Sequence, residues 1–245
     1  RKVLGRAHPE LAAGLNNLAY ARESKGDYAG AEAAYLEALA MNRNLLGERH
    51  PEVASNMSNL AFVQYAQGRH RAAIDLLRAS LDLRRAVLGA RHPDIAGSAA
   101  SLGFWLIDAG NLAEAKLLID ESLDIRRRAL GEKHPSVATA LSAQASLLLA
   151  QRRFAAAAAV AAQAEELLAP THDASRWQMA MAMNVRGAAL TGLRQFSAAE
   201  KLLRDSLAGL ASAPIPGLRE KGRLRLQQLY LDWGKPVQAA QFAHR

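Results

Sequence analysis

Apolar residues recur along most of this chain at the spacing of one helical face. The pattern predicts a helix from Pro9 to about Lys25 and a second from Tyr28 to about Leu45. Gly26 stands between them, where a residue with positive φ ends a helix. The pattern then repeats with a step of 42 residues. Leu18-Ala19 becomes Leu60-Ala61 and Leu102-Gly103; Gly26 becomes Gly68 and Gly110; Ala31 becomes Ala73 and Ala115; Leu39 becomes Leu81 and Leu123. Self-similarity at this period predicts a solenoid, because a lone helix pair cannot bury both its faces.

The later units are looser. Arg152 replaces the turn glycine of the fourth, while Phe154, Ala157 and Glu165 keep the frame. Phe196, Ala199 and Leu207 hold the fifth on the grid, and Gly234 and Ala239 mark a shorter sixth. The units expected are residues 7–48, 49–90, 91–132, 133–168, 169–210 and a partial 211–245, a single array over 1–245 with residues 1–6 ending a preceding helix. The opening "RKVLG" reads as such a helix end, so further chain is expected before it.

A phrase punctuates the units: "LGRAHP" (4–9), "LGERHP" (46–51), "LGARHP" (88–93) and "LGEKHP" (130–135). Its histidines, His8, His50, His92 and His134, invite a metal reading. Ligands must converge to about 2 Å from one ion. Residues one unit apart are displaced by roughly 10 Å, the packing distance of helices. The four therefore cannot share an ion, and no metal is expected. The alternative is a helix start, with Gly ending one helix, His at the cap and Pro in the first turn, where its missing N–H costs nothing. Glu10, Glu52 and Asp94 follow at the positive end of the helix dipole. In "APTHDASRW" (169–177) the phrase has decayed; His172 reads as loop, with Thr171 or Asp173 as cap.

The residues "LNNLAYARESKGDYAGAEAAYLEAL" (15–39) resemble the tetratricopeptide repeat, in the long form of kinesin light chains and many bacterial regulators. Leu18, Ala19, Gly26, Tyr28, Ala31, Ala38 and Leu39 carry the likeness. It implies an all-α fold, a right-handed superhelical solenoid of antiparallel helix pairs, and it covers essentially the whole chain. A second segment, "LYLDWGKPVQAAQF" (229–242), is similar to the close of tetratricopeptide regions in bacterial serine/threonine kinases. That implies the docking part of a larger protein; no kinase motif lies in this chain.

The tetratricopeptide resemblance also implies that each unit's first helix lines a concave groove. The candidate groove residues are Asn16, Asn17, Tyr20 and Glu23 in the first unit, Ser58, Asn59, Phe62 and Tyr65 in the second, and Ser101 and Phe104 in the third. An amide offers a peptide backbone both donor and acceptor, and aromatics give apolar anchors. The same residues could instead pack against the next helix, and sequence leaves both readings open.

Composition narrows function further. Cysteine is absent, which excludes disulfides and cysteine nucleophiles. Neither HExxH, GxSxG nor GxxxxGK occurs, so no catalytic site and no cofactor are expected. The net charge of +8 admits an acidic partner or nucleic acid. Arg43, Arg85 and Arg127, reinforced by Arg84, Arg126 and Arg128, form a basic ladder that reads as helix-end complement or as an anion surface. The most apolar run, "FAAAAAVAA" (154–162), is too short for a membrane span. The expectation is a cytoplasmic, non-catalytic scaffold for a protein or extended peptide. The alternatives are self-association as a homo-oligomer and, with less support, nucleic-acid binding.

Overall fold

The computed structural model describes residues 8–169, 176–211, 213 and 217–243. The helix end expected over 1–6, and the loop and caps expected at Thr171, His172 and Asp173, lie outside them. Among the described residues there are helices and turns but no strands. The helices are α1 (Pro9–Ser24), α2 (Tyr28–Leu46), α3 (Pro51–Ala66), α4 (His70–Leu88), α5 (Pro93–Asp108), α6 (Leu112–Leu130), α7 (Pro135–Ala150), α8 (Phe154–Leu168), α9 (Arg176–Gly192), α10 (Phe196–Leu210), α11 (Leu218–Asp232) and α12 (Pro236–Ala240). Odd-numbered helices are the first of each pair. The chain divides into two compact units, Arg1–Leu102 and Gly103–Arg245, with the boundary inside α5.

The histidine phrase is a helix junction. Gly47, Gly89 and Gly131 take φ of +83°, +83° and +84°, a region essentially restricted to glycine. Each stops a helix with its N–H on the carbonyl of Arg43, Arg85 or Arg127. The following histidine then opens the next helix through Nδ1, which accepts a backbone N–H two residues on. The pairs are His8–Glu10 at 3.2 Å, His50–Glu52 at 3.1 Å, His92–Asp94 at 3.2 Å and His134–Ser136 at 3.1 Å.

The turn within each pair is equally uniform. Gly26, Gly68 and Gly110 take φ near +80°, at +79°, +81° and +80°. Arg152 and Arg194 stand at the same rung and adopt φ of +58° and +61°. The turn survives loss of its glycine by forcing an L residue into the left-handed region, at a cost of about 1–2 kcal/mol.

In the first unit α1, α2, α3 and α4 pack in sequence. Ala19, Ala31, Tyr35, Val53, Leu60 and Val63 form one buried cluster there. Alanines at Ala19, Ala31 and Ala38 are fully buried, so these helices meet with small residues between them. In the second unit α6 to α12 pack consecutively, and α9 also touches α7 and α11. Gly103 and Gly187 occupy the rung of Ala19; a Cβ on Gly187 would lie 2.7 Å from Leu203 Cγ.

Candidate functional site

Two adjacent amides on α1 meet different fates. Asn16 Oδ1 accepts a hydrogen bond from Asn56 Nδ2 at 2.7 Å, and Asn56 Oδ1 accepts from Asn42 Nδ2 at 2.7 Å. This relay ties α1, α2 and α3 together, and Asn56 is fully buried. Ser58 is likewise spent on the fold: its Oγ pairs with Ser80 Oγ at 2.8 Å, and Ser80 donates to the Ala54 carbonyl. Asn17 is exposed, and Asn59 and Ser101 are half-buried. Their side chains hydrogen-bond to nothing among the described residues. These three hold equivalent rungs of α1, α3 and α5, within the first unit.

The aromatic candidates also separate. Tyr20 is 66% exposed, and Phe62 is half-buried. Tyr65 is buried, with its ring 4.4 Å from that of His70. Glu23 is half-buried and accepts the Tyr35 hydroxyl at 3.2 Å. Burial raises the Glu23 carboxyl above its usual range, opposed by the Tyr35 bond. Burial likewise raises the Tyr35 phenol, reinforced by the Glu23 charge. The surface offered by the first unit is therefore Asn17, Asn59 and Ser101 beside Tyr20, Phe62 and the edge of Glu23.

The basic ladder splits in the same way. Arg84 and Arg126 are half-buried junction ties rather than reinforcement of a basic surface. Arg84 Nη1 donates to Ser98 Oγ at 2.9 Å and to the Asp94 carbonyl at 3.2 Å, while Nη2 reaches Ser55 Oγ at 3.2 Å. Arg126 Nη1 donates to the Ser136 carbonyl at 2.6 Å. Burial lowers both guanidinium pKa values. The outer arginines have acidic neighbours: Arg43 with Glu48 at 2.9 Å, Arg85 with Asp82 at 3.1 Å, Arg127 with Glu132 at 2.8 Å and Arg128 with Asp124 at 2.8 Å. These exposed pairs add little stability, but they blunt the ladder as an anion surface.

The second unit holds a cluster that sequence reasoning missed. Phe104 is only 6% exposed and lies beneath Lys221, whose Nζ is 4.3 Å from the ring centroid. The same ammonium bonds Asp108 Oδ1 at 2.5 Å and Oδ2 at 2.7 Å. Arg225 Nη1 donates to Asn184 Oδ1 at 2.7 Å, and Asn184 Nδ2 donates to Ser206 Oγ at 3.0 Å. Burial pushes the Arg225 guanidinium down to about 10, and it lowers the Lys221 ammonium against the pull of Asp108. A signal was present. Arg225 precedes Gly234 by nine residues, as Asn17, Asn59 and Ser101 precede Gly26, Gly68 and Gly110.

A separate cleft of about 380 Å³ lies among α8, α9 and α10, lined by Leu168, Met179, Met183 and Ala208 with Arg176 and Asp205. Among the described residues, no group of three or more His, Cys, Asp or Glu side chains is placed to hold a metal. No described helix is long and apolar enough to cross a membrane.

Punctuated helix pairs with a positive-φ turn and small residues at fixed rungs can be compared with known proteins. The profile of the tetratricopeptide repeat family matches residues 10–86, 60–118 and 94–169. The chain belongs to the tetratricopeptide repeat family. Several solved structures share its fold. Nearly identical repeats assigned to a kinesin light chain of Podosopora anserina align at 22% identity over 83% of this chain and 97% of that one, with a TM-score of 0.64. The apo form of RapI aligns at 15% identity over 98% of this chain and 84% of that one, with a TM-score of 0.73. A Rap protein complexed with Competence and Sporulation Factor aligns at 14% identity over 95% and 75%, with a TM-score of 0.62. At such identities the likeness is one of fold. No curated protein sequence matches the chain.

Proposed function

We propose that this tetratricopeptide repeat chain is a non-catalytic scaffold that binds an extended peptide on the first helices of its first unit. One observation carries the reading: neighbouring polar side chains divide into those spent on the fold, Asn16 and Ser58, and those with no side-chain hydrogen bond among the described residues, the amides Asn17 and Asn59 and the hydroxyl of Ser101. Amides at successive rungs suit a peptide backbone, since each supplies a donor and an acceptor. Preformed helices keep the ordering cost of binding low. Tyr20 and Phe62 supply apolar anchors beside them. A ligand complex on the same fold, the Rap protein with its factor, supports a binding role.

Charge favours a peptide over nucleic acid. Across α1, α3 and the part of α5 in the first unit, Arg22 is the single Lys or Arg, against Glu10, Glu23, Glu52 and Asp94. A phosphate backbone needs the opposite balance. The "DWGKP" segment (232–236) supports a further placement, as the docking part of a larger cytoplasmic bacterial protein such as a serine/threonine kinase.

The test uses a peptide selected from a displayed random library on the purified chain. Asn17→Ala combined with Asn59→Ala should weaken its binding at least about tenfold, the loss of roughly two backbone hydrogen bonds. Unchanged affinity in the double variant sinks the proposal.

A further inference from the structure

We infer that Tyr20 and Glu23 of α1 form a subsite for a lysine or arginine side chain of the bound segment. The inference rests on the groove reading above and adds the chemistry of the partner.

The second unit shows what this rung can do. Phe104 stands at the rung of Tyr20, two 42-residue repeats on. Its ring carries the Lys221 ammonium at 4.3 Å, and the carboxylate that holds that ammonium, Asp108, lies one helical turn further along α5. An aromatic face plus a carboxylate one turn away is thus a cation holder within this molecule. The attraction comes from the ring quadrupole and the carboxylate charge acting on one cation.

The first unit holds a similar pair with a solvent-facing ring, its acid three residues beyond the aromatic rather than four. Tyr20 is 66% exposed, and Glu23 follows one turn later, on the same helix face. The Glu23 carboxylate is half-buried, so its field is less screened than that of a free surface acid. Its bond from the Tyr35 hydroxyl uses Oε2 and fixes its position. The neighbouring cation, Arg22, is turned to the α1–α2 junction, where Nη1 donates to the Gly30 carbonyl at 3.1 Å and Nε lies 3.8 Å from Asp27. The acidic balance of α1, α3 and the first-unit part of α5 attracts the same sign of partner. Asn17, one turn before Tyr20, would hold the backbone that carries the basic side chain.

The experiment is a selection of random twelve-residue displayed peptides on the wild-type chain and on Glu23→Lys, followed by affinities for the wild type, Tyr20→Leu and Glu23→Gln. Wild-type binders should share a Lys or Arg at one position. Replacing that residue by norleucine should weaken binding to the wild type roughly tenfold, and much less in Tyr20→Leu or Glu23→Gln. Selection on Glu23→Lys should lose the basic preference. Tyr20 is exposed, so Tyr20→Leu leaves the core intact. Binders that depend on Asn17 and Asn59 but share no basic residue, or whose basic residue matters equally in Glu23→Gln, overturn the subsite and leave the groove standing. Failure to select any binder overturns the groove reading and the subsite with it.

Discussion

Asn56 donates its side-chain amide to Asn16 at 2.7 Å, joining two first helices across 40 residues of sequence. Asn17, the next residue, has no such tie among the described residues. The contrast defines which amides are structural, and it is measurable. Asn56→Leu strands the Asn42 donor and the Asn16 acceptor, so it should cost about 1–3 kcal/mol. Asn17→Ala should stay within about 0.5 kcal/mol of the wild type. Urea unfolding midpoints for the two variants would check this, and equal midpoints would contradict it.

The strained turns give a prediction of opposite sign. Arg152 and Arg194 hold φ of +58° and +61° where earlier units use glycine. Glycine relieves about 1–2 kcal/mol of strain and gives back about 0.5–1 kcal/mol as unfolded-chain entropy. Arg152→Gly and Arg194→Gly should each therefore stabilise the chain by about 0.5–1 kcal/mol. A lower thermal midpoint in either variant would refute the strain.

The junction arginines should differ from one another. Arg84 serves three acceptors, so Arg84→Met should cost about 1–3 kcal/mol. Among the described residues Arg126 serves one carbonyl, and its buried Nε has no partner. Replacing a desolvated cation by an apolar chain of similar length is often neutral or stabilising. Arg126→Met should stay within about 1 kcal/mol of the wild type. Chemical denaturation of the pair distinguishes them; equal losses would show that both are equivalent ties.

Glu165 predicts a pH effect. Its Oε2 accepts from Arg186 at 2.9 Å, but its buried Oε1 has no partner among the described residues. Burial outweighs Arg186 and raises the carboxyl pKa above 4.5 in the folded state. The folded chain then holds the proton more tightly than the unfolded chain. The resulting stabilisation is full below pH 4.5 and is lost as pH rises through the folded value. Subtracting the stability profile of Glu165→Gln from that of the wild type should leave a difference that falls with rising pH from 4.5 upward. A flat or rising difference would contradict the burial argument.

The repeat and its junctions were legible because their signals are local. Gly47, His50 and Pro51 each act on their own backbone, and the second helix expected to end near Leu45 ends at Leu46. The candidate site was legible only in part. Asn16 and Asn17 differ by about 100° around one helix, and the 42-residue period does not say which one faces the neighbouring pair. Arg84 and Arg126 looked like surface charge because the acceptors that bury them, Ser98 and the Ser136 carbonyl, lie in the following helix. Lys221 and Arg225 sit in a strongly charged stretch, "LREKGRLR" (218–225), whose composition suggests a solvated face. Their burial follows from contacts with Asp108 and Asn184, far away in sequence.

The central claim is that a peptide lies along the first helices of the first unit. Photocrosslinking places it most directly. Benzoylphenylalanine would be introduced singly at Tyr20, Phe62 and Leu36, the last an exposed residue of a second helix. With a library-selected peptide bound, crosslinks from positions 20 and 62 and none from 36 are the predicted result. Crosslinking from position 36 alone, or from all three equally, would contradict it.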